Sequence, residues 1–315
     1  MGHGPYTPPA EVRKLRKEKS LLPALYAVKG DFILLSDNIS SEEISLLPYY
    51  QETCDKKISV VSLSQLNDIS KDVEKIIPWG WDYAICQTLH ENGVPSSLLP
   101  SKGKLEKIRE LSHRRTSIIL RNYIAEYMGE SVYLPSKELF STQEVENFLK
   151  IYPISYFKAP WSSSGRGIVV SDHIKHKGLL EWCHGIIRKQ GSVIAEPAWD
   201  RTLDFATEWI IEAGVPRFLG YSVFHTSSRG KYHGNIESSQ TELLETIKRE
   251  VPSFNNRIIE AQSSAIKHLL APYYEGFLGI DMLADTKGKV NPCVEINLRL
   301  TMGHISILRN GNNYR

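Results

Sequence analysis

The sequence lacks the features that mark several whole classes of protein. No apolar run reaches the roughly 18 residues that span a bilayer, so no membrane partner is expected. Cysteine is scarce: the four residues Cys54, Cys86, Cys183 and Cys293 are scattered without a C-x-x-C, which points to neither a disulfide framework nor a zinc site. A reducing, cytoplasmic location is the expectation that follows. Charge of one sign is also missing, with 38 Lys+Arg against 36 Asp+Glu, so no nucleic-acid partner is expected. Neither a Walker A loop nor a Rossmann glycine fingerprint occurs. No internal repeat or low-complexity tract is present. The opening Met1-Gly-His-Gly-Pro-Tyr-Thr-Pro-Pro has no apolar core, so it does not read as a secretory leader. What is there is a chain of 315 residues with 41% hydrophobic content, enough for two or three packed units.

The organising stretch is Val290-Asn-Pro-Cys-Val-Glu295-Ile-Asn297-Leu-Arg299. Apolar Val294, Ile296 and Leu298 alternate with polar Glu295, Asn297 and Arg299, the period of a strand. The three polar side chains then share one face. A carboxylate, an amide oxygen and a guanidinium in a row suit a divalent cation and the phosphates it bridges. An edge strand with a solvated polar face has the same pattern, and both readings stand at this point.

Taken in order, the chain alternates short apolar runs with helical periods. Residues 31–36 and 58–63 read as strands and 83–90 as a helix, a small α/β unit. The pattern over 105–127 predicts one long helix, with the basic pair Arg114 and Arg115 inside it as a phosphate contact or a solvated face. Residues 131–134 read as a strand, and Ser141-Thr-Gln-Glu144 has the spacing of a capping box that opens a helix ending near Tyr152. A strand ending in Lys158 leads to the small-residue loop Ser162-Ser163-Ser164-Gly165-Arg166-Gly167, and a strand from Ile168 follows. Backbone N–H groups in such a loop can approach an anion without Cβ clashes, and Lys158 and Arg166 add charge; a plain hairpin remains the alternative. A helix over 179–189 precedes a strand that runs into Glu196-Pro197-Ala198-Trp199. Two strands, 204–211 and 217–224, turn about Ala213-Gly214. The polar segment 225–235 reads as a mobile loop. Helices over 241–250 and 257–270 and a buried strand over 276–284 complete the pattern.

That last strand carries one acid, Asp281, in an otherwise apolar run. Buried unpaired acids are rare. Counting symmetrically about Thr286-Lys287 places Asp281 opposite Pro292, and a bulge would bring it nearer Glu295. Two carboxylates and an amide on neighbouring strands repel unless a cation or a proton intervenes. Oxygen-only ligation favours Mg²⁺ or Mn²⁺. His113, His233 and His304 are either acid–base groups or polar surface, with surface favoured for the first two.

The order of lysine-ended strand, Ser/Gly loop, Glu-Pro segment, acid-bearing strand and Glu-x-Asn-x-Arg strand resembles the ATP-grasp superfamily over about residues 110–310. The resemblance implies an α/β (α+β) ATP-grasp fold: a pre-grasp-like α/β domain over 1–110, a central lid subdomain over 111–195 and a C-terminal subdomain with the metal site over 196–315. It implies that Lys158 contacts the α/β-phosphates and that residues 162–167 close over the phosphates. Glu196, Pro197, Ala198 and Trp199 would form the hinge beside adenine, and Asp204 would bind the ribose. Asp281, Glu295 and Asn297 would hold two Mg²⁺ ions. Arg299 would stabilise the acyl-phosphate and tetrahedral species. Arg114 takes the place of a basic residue, usually lysine, before the loop domain, and Lys231 that of a loop lysine reaching the γ-phosphate. Leu278-Gly279-Ile280 before Asp281 departs from the D-alanine ligase branch, which has an arginine there. The implied activity is an ATP- and Mg²⁺-dependent ligation of a carboxylate to an amine, with amino acids or peptides among the candidate small-molecule substrates and a homodimer admitted. A nucleotide-binding regulator without turnover and an ATP-dependent phosphotransferase are the alternatives.

Overall fold

Two compact units make up the chain, residues 1–106 with 308–315 and residues 107–307. The computed structural model describes residues 10–35, 39–129, 135–162, 167–226 and 232–309. The first unit contains helix α1 (Ala10–Glu18), strand β1 (Phe32–Leu35), short helices α2 (Ser41–Ser45) and α3 (Tyr50–Asp55), strand β2 (Ser59–Ser62), α4 (Leu66–Ile69) and α5 (Tyr83–Glu91). The two strands expected at 31–36 and 58–63 pair in parallel, Phe32 opposite Ser59 through Leu35 opposite Ser62. A parallel pair needs a crossover, and α2 and α3 supply it. Alternate residues of β1, Ile33 and Leu35, join Leu21, Ala24, Ala27 and Ile58 in one core. Leu66, Leu89 and Val94 form a second.

The single helix expected over 105–127 is two, α6 (Lys102–Leu111) and α7 (Arg115–Met128). Apolar periodicity runs through the break and hides it. The backbone N–H of Arg114 leaves the helical ladder for Pro160 O at 3.1 Å, and that of Arg115 donates to the His113 ring at 3.1 Å. His113, expected at the surface, is buried at 2% exposure and Arg114 at 6%. Burial, then Arg115, hold the His113 imidazole down to about pKa 4, against the pull of Glu138.

A four-stranded sheet follows, in the order β3 (Lys137–Leu139), β6 (Val193–Pro197), β4 (Ser155–Lys158), β5 (Ile168–Val170). Helices α8 (Thr142–Ile151) and α9 (His176–Gln190) cover it through Val145, Phe148, Leu179 and Cys183 against Phe157, Val193 and Ala195. The Ser141 hydroxyl caps α8 by accepting from Glu144 N–H at 3.2 Å. Glu144 turns to the Phe140 N–H at 2.7 Å, so only half of the expected capping box forms. The strand expected at 131–134 lies outside the described residues.

The larger sheet has the order β11 (Val290–Asn297), β10 (Gly276–Asp285), β7 (Arg201–Glu212), β8 (Val215–Thr226), β9 (Tyr232–Asn235). Part of the segment read as a loop is therefore a strand: Phe224 pairs with Asn235, which gives β8 an outer neighbour. Helices α10 (Gln240–Glu250) and α11 (Arg257–Leu269) pack on β8, and α7 packs on both α11 and β11. On that side Gln262 accepts from Thr207 Oγ1 at 2.9 Å and donates to Pro292 O at 2.9 Å. A helix the sequence reading did not anticipate, α12 (Met302–Arg309), follows β11. Among the described residues no helix is long and apolar enough to cross a membrane.

Candidate functional site

The acids meet because the hairpin is irregular. Near its turn Ala284 pairs with Val290 and Leu283 with Asn291, but after a register shift Asp281 lies opposite Glu295 and Gly279 opposite Asn297. The symmetric count had placed Asp281 opposite Pro292; the bulge corrects it. On its other side β10 pairs Asp281 with Ala206 and Gly279 with Glu208. Directly paired residues share a face. Asp204, Glu208, Asp281, Glu295 and Asn297 therefore occupy one face of three neighbouring strands.

Hydrogen bonds tie this face together. Asn297 Nδ2 donates to Asp281 Oδ2 at 3.0 Å, and Arg299 Nη2 donates to Asn297 Oδ1 at 2.8 Å. Arg299 Nη1 donates to Leu300 O at 3.0 Å. Burial, then Glu295 and Glu208, push the Asp281 carboxyl up to about pKa 8, with Arg299 and the Asn297 amide acting against them. Asp281 thus favours its protonated form in the bare protein.

Lys158 Nζ, at the end of β4, lies 2.5 Å from Glu196 Oε2 on β6; β4 and β6 pair Lys158 with Ile194 and Tyr156 with Glu196. Arg114 bridges the two sheets. Its Nη1 donates to Ala159 O and to Ser162 Oγ, both at 2.6 Å, and its Nη2 donates to Glu295 Oε1 at 3.0 Å. One buried guanidinium therefore joins the root of the Ser/Gly loop to the acid row. The loop's other end is tied in by Ala159 N–H, which donates to Gly167 O at 2.7 Å. Ser163, Ser164, Gly165 and Arg166 lie outside the described residues, as does Lys231.

The remaining candidates are more scattered. Pro197 pairs with Ser155 on β4, and the Ala198 N–H is taken by Ile154 O at 2.9 Å. Trp199 is half-buried. Asp204 accepts from the Thr226 hydroxyl and has Arg201 Nη1 at 3.5 Å.

One cluster on the same face went unread in the sequence. Glu208, 1% exposed, accepts from Ser222 Oγ at 2.8 Å and from Thr301 Oγ1 at 2.9 Å, and His304 Nδ1 lies 3.0 Å from its Oε2. Burial pushes the Glu208 carboxyl up to about pKa 7 and holds the His304 imidazole down to about 3. The missed signal is the one that flagged Asp281: a single acid in an apolar strand, here Glu208 between Phe205 and Ile211.

A divalent cation with nucleotide phosphates fits these residues. The donors are two carboxylates and an amide, hard oxygen ligands that suit Mg²⁺. The proton affinity of half-buried Asp281 beside Glu295 registers a repulsion that a cation would relieve. Among the described residues no group of three or more His, Cys, Asp and Glu forms an alternative metal cluster.

No family model matches the chain, and no curated protein matches it. Solved structures do. A biotin carboxylase–β-γ-ATP complex from Campylobacter jejuni aligns with a TM-score of 0.58 at 16% identity, covering 96% of this chain and 68% of that one. The biotin carboxylase domain of Hydrogenobacter thermophilus 2-oxoglutarate carboxylase, solved as a dimer with MgADP, ADP and bicarbonate, aligns at 0.55 with 11% identity, covering 95% and 68%. A D-cycloserine synthetase aligns at 0.51 with 15% identity, covering 90% and 96%. These are ATP-grasp proteins, and the chain has the ATP-grasp fold.

Proposed function

We propose that this protein is an ATP- and Mg²⁺-dependent ligase that joins a small-molecule carboxylate to an amine through an acyl phosphate. The observation that carries the reading is the row of Asp281, Glu295, Asn297 and Arg299 on one sheet, with Arg114 joining Glu295 to Ser162 at the root of the loop that follows Lys158. Nucleotide-bound neighbours of the same fold support it.

The chemistry explains why such residues would be gathered. A carboxylate resists nucleophiles because of its charge and because its leaving group would be oxide. Transfer of the γ-phosphoryl group gives a mixed anhydride with phosphate as leaving group, which the amine displaces to form an amide. The protein's task is positioning and charge neutralisation. Bound Mg²⁺, one ion or two, would neutralise phosphate charge, with Asp281, Glu295 and Asn297 as its holders. Lys158 would leave Glu196 for the nucleotide phosphates, and Arg114 would divide itself between Glu295 and the loop. Glu196 through Trp199 would lie along the base and Asp204 at the ribose. Arg299 would face the developing oxyanion. The segment 162–167 and Lys231 would cover the phosphates.

The test is ADP release over a panel of amino acids, peptides and other carboxylates, with hydroxylamine present to trap an acyl phosphate as its hydroxamate. ADP release that depends on both a carboxylate and Mg²⁺, with a hydroxamate product, is expected. ADP release with phosphate on a hydroxyl acceptor and no hydroxamate overturns the reading.

A further inference from the structure

The cluster around Glu208 poses a proton-counting problem that hydrogen-bond geometry solves. His304 Nε2 faces the carbonyl oxygen of Trp209 at 3.1 Å. A carbonyl only accepts, so Nε2 carries a proton. Nδ1 receives the backbone N–H of Thr301 at 3.1 Å, so it presents its lone pair. The imidazole is therefore neutral. Glu208 Oε2 lies 3.0 Å from that same Nδ1. Two lone pairs do not face each other at this distance in a buried site unless a proton lies between them. An imidazolium would leave the Thr301 N–H without its acceptor. Thr301 Oγ1 lies 2.9 Å from both Glu208 Oε2 and Nδ1, so its one hydroxyl proton serves one of them and an acid proton on Glu208 closes the other, to Nδ1 directly or through that hydroxyl. In either arrangement the proton belongs on Glu208, which also accepts from Ser222.

The surroundings are built for this group. A Cβ on Gly303 would lie 1.9 Å from Glu208 Oε1, and one on Gly279 2.7 Å from Oε2, so only glycine admits the carboxyl at either place. The charged and titratable groups that act on Glu208 or feel it are Arg299 after β11, Asp281 on β10, His304 on α12 and Tyr232 on β9. Arg299 favours the ionised form and Asp281 opposes it. The cluster also grips the chain beyond the acid row. Thr301 closes the turn after Arg299, donates to Glu208, and accepts the His304 N–H at 3.2 Å at the start of α12.

We propose that Glu208 is a positioning residue: as a protonated acid donating to neutral His304, it clamps residues 298–301 and so fixes the guanidinium of Arg299 beside Asn297 and Asp281. Among the described residues the Arg299 guanidinium is held by Leu300 O and Asn297 Oδ1, both within two residues of it in the chain, so its direction depends on the turn. The clamp acts through Arg299 and does not touch the reacting atoms. Its kinetic consequence rests on the ligase reading; its proton arrangement does not.

The experiment has two arms. The first is the ¹⁵N spectrum of the histidine rings in the wild-type protein, with His304 assigned by loss of its signals in His304→Asn. One protonated and one unprotonated ring nitrogen at pH 6 is expected, and two protonated nitrogens overturn the proposal whatever the protein's activity. The second compares Glu208→Gln with Glu208→Ala. The amide can donate to Nδ1 and accept from Ser222, so Glu208→Gln is expected to keep turnover within about threefold of wild type. Glu208→Ala is expected to lower kcat about 10- to 100-fold with KM for ATP nearly unchanged, the split of a displaced Arg299. If Glu208→Gln fails as badly as Glu208→Ala, the clamp is an ion pair and the proposal is wrong. If both retain wild-type kcat, the clamp does not position Arg299. A protein with no ligase turnover would leave the first arm standing, which separates the two failures.

Discussion

Two carboxyl groups on one sheet face, Asp281 and Glu208, stand diagonally across neighbouring strands and are used in opposite ways. Asp281 lies opposite Glu295, whose side chain is 29% exposed and paired with Arg114. Glu208 lies opposite Gly279 and Gly220, with no side chain on either neighbour; its own carboxyl and Thr301 fill the space above Gly279, Gln240 and Ile307 fill that at Gly220, and Ser222 and His304 close on the carboxyl itself. Burial raises both pKa values. A second acid and an open side make Asp281 a place for a cation. Hydroxyls, a neutral imidazole and a sealed roof make Glu208 a place for a proton. Residue type alone does not separate the two; the neighbours across the strand do.

The largest effect that would break this contrast is expected at Asp281. Asp281→Asn keeps the shape and the hydrogen bond from Asn297 but removes a carboxyl that repels Glu295. Turnover is expected to fall by ~10³-fold or more, as for loss of a metal-holding or charge-stabilising group. Thermal stability of the nucleotide-free protein is expected to rise by a few degrees, because folding no longer has to protonate a half-buried acid beside Glu295. Calorimetry beside the ADP-release assay reads both. A variant that loses stability along with turnover would mean that Asp281 is structural and the contrast with Glu208 false.

How much of this was legible follows the same line. The Glu295-Ile-Asn297-Leu-Arg299 alternation announced a polar face, and Asp281 announced itself as an acid in an apolar run. Both are local signals. Their meeting depends on a bulge between Asp281 and Leu283, which no count of residues supplies. Glu208 carried the same local signal, but Ser222 comes from β8 and Thr301 and His304 from the turn into α12, two other places in the chain, and Gly279 and Gly303 matter only for the space they leave. Arg114 was a basic residue in an apparently continuous helix until its N–H proved to belong to Pro160. The break between α6 and α7 is a tertiary event. β9 was misread for a related reason: Tyr232, His233 and Asn235 lie on an edge strand whose composition is that of a loop, and pairing with β8 decides its conformation.

A middle-sized effect concerns pH. Glu208 has a folded pKa of about 7, above its ordinary carboxylate value of 4.5. The folded state therefore holds a proton that the unfolded chain has released, and stability falls as pH rises from the ordinary value through 7. Asp281, raised to about 8, contributes in the same direction. The expected loss for Glu208 is at most a few kcal/mol, from about 1.4 kcal/mol per pKa unit. In denaturant titrations between pH 5 and pH 9, Glu208→Gln should show a flatter stability profile than wild type and exceed it at the alkaline end. Equal slopes would mean that Glu208 is ionised throughout, and the contrast with Asp281 would reduce to one of exposure.

The smallest effect tests what holds the two sheets' residues in reach of each other. β11 is the edge strand of its sheet, and one of its N–H groups has no strand to pair with. Ile296 N–H donates instead to Ser117 Oγ on α7 at 3.1 Å, one turn after Arg114. That bond sets the start of α7 against the acid row, which is where Arg114 reaches Glu295. Ser117→Ala leaves a buried N–H without a partner, at a cost of about 1–2 kcal/mol, and should lower the denaturation midpoint by that amount. If the bond also sets Arg114, apparent nucleotide affinity should weaken severalfold while kcat stays within about twofold, since Arg299 is anchored by the Glu208 cluster and not by α7. A fall in kcat with affinity intact would reverse the assignment, making α7 part of the machinery that positions Arg299.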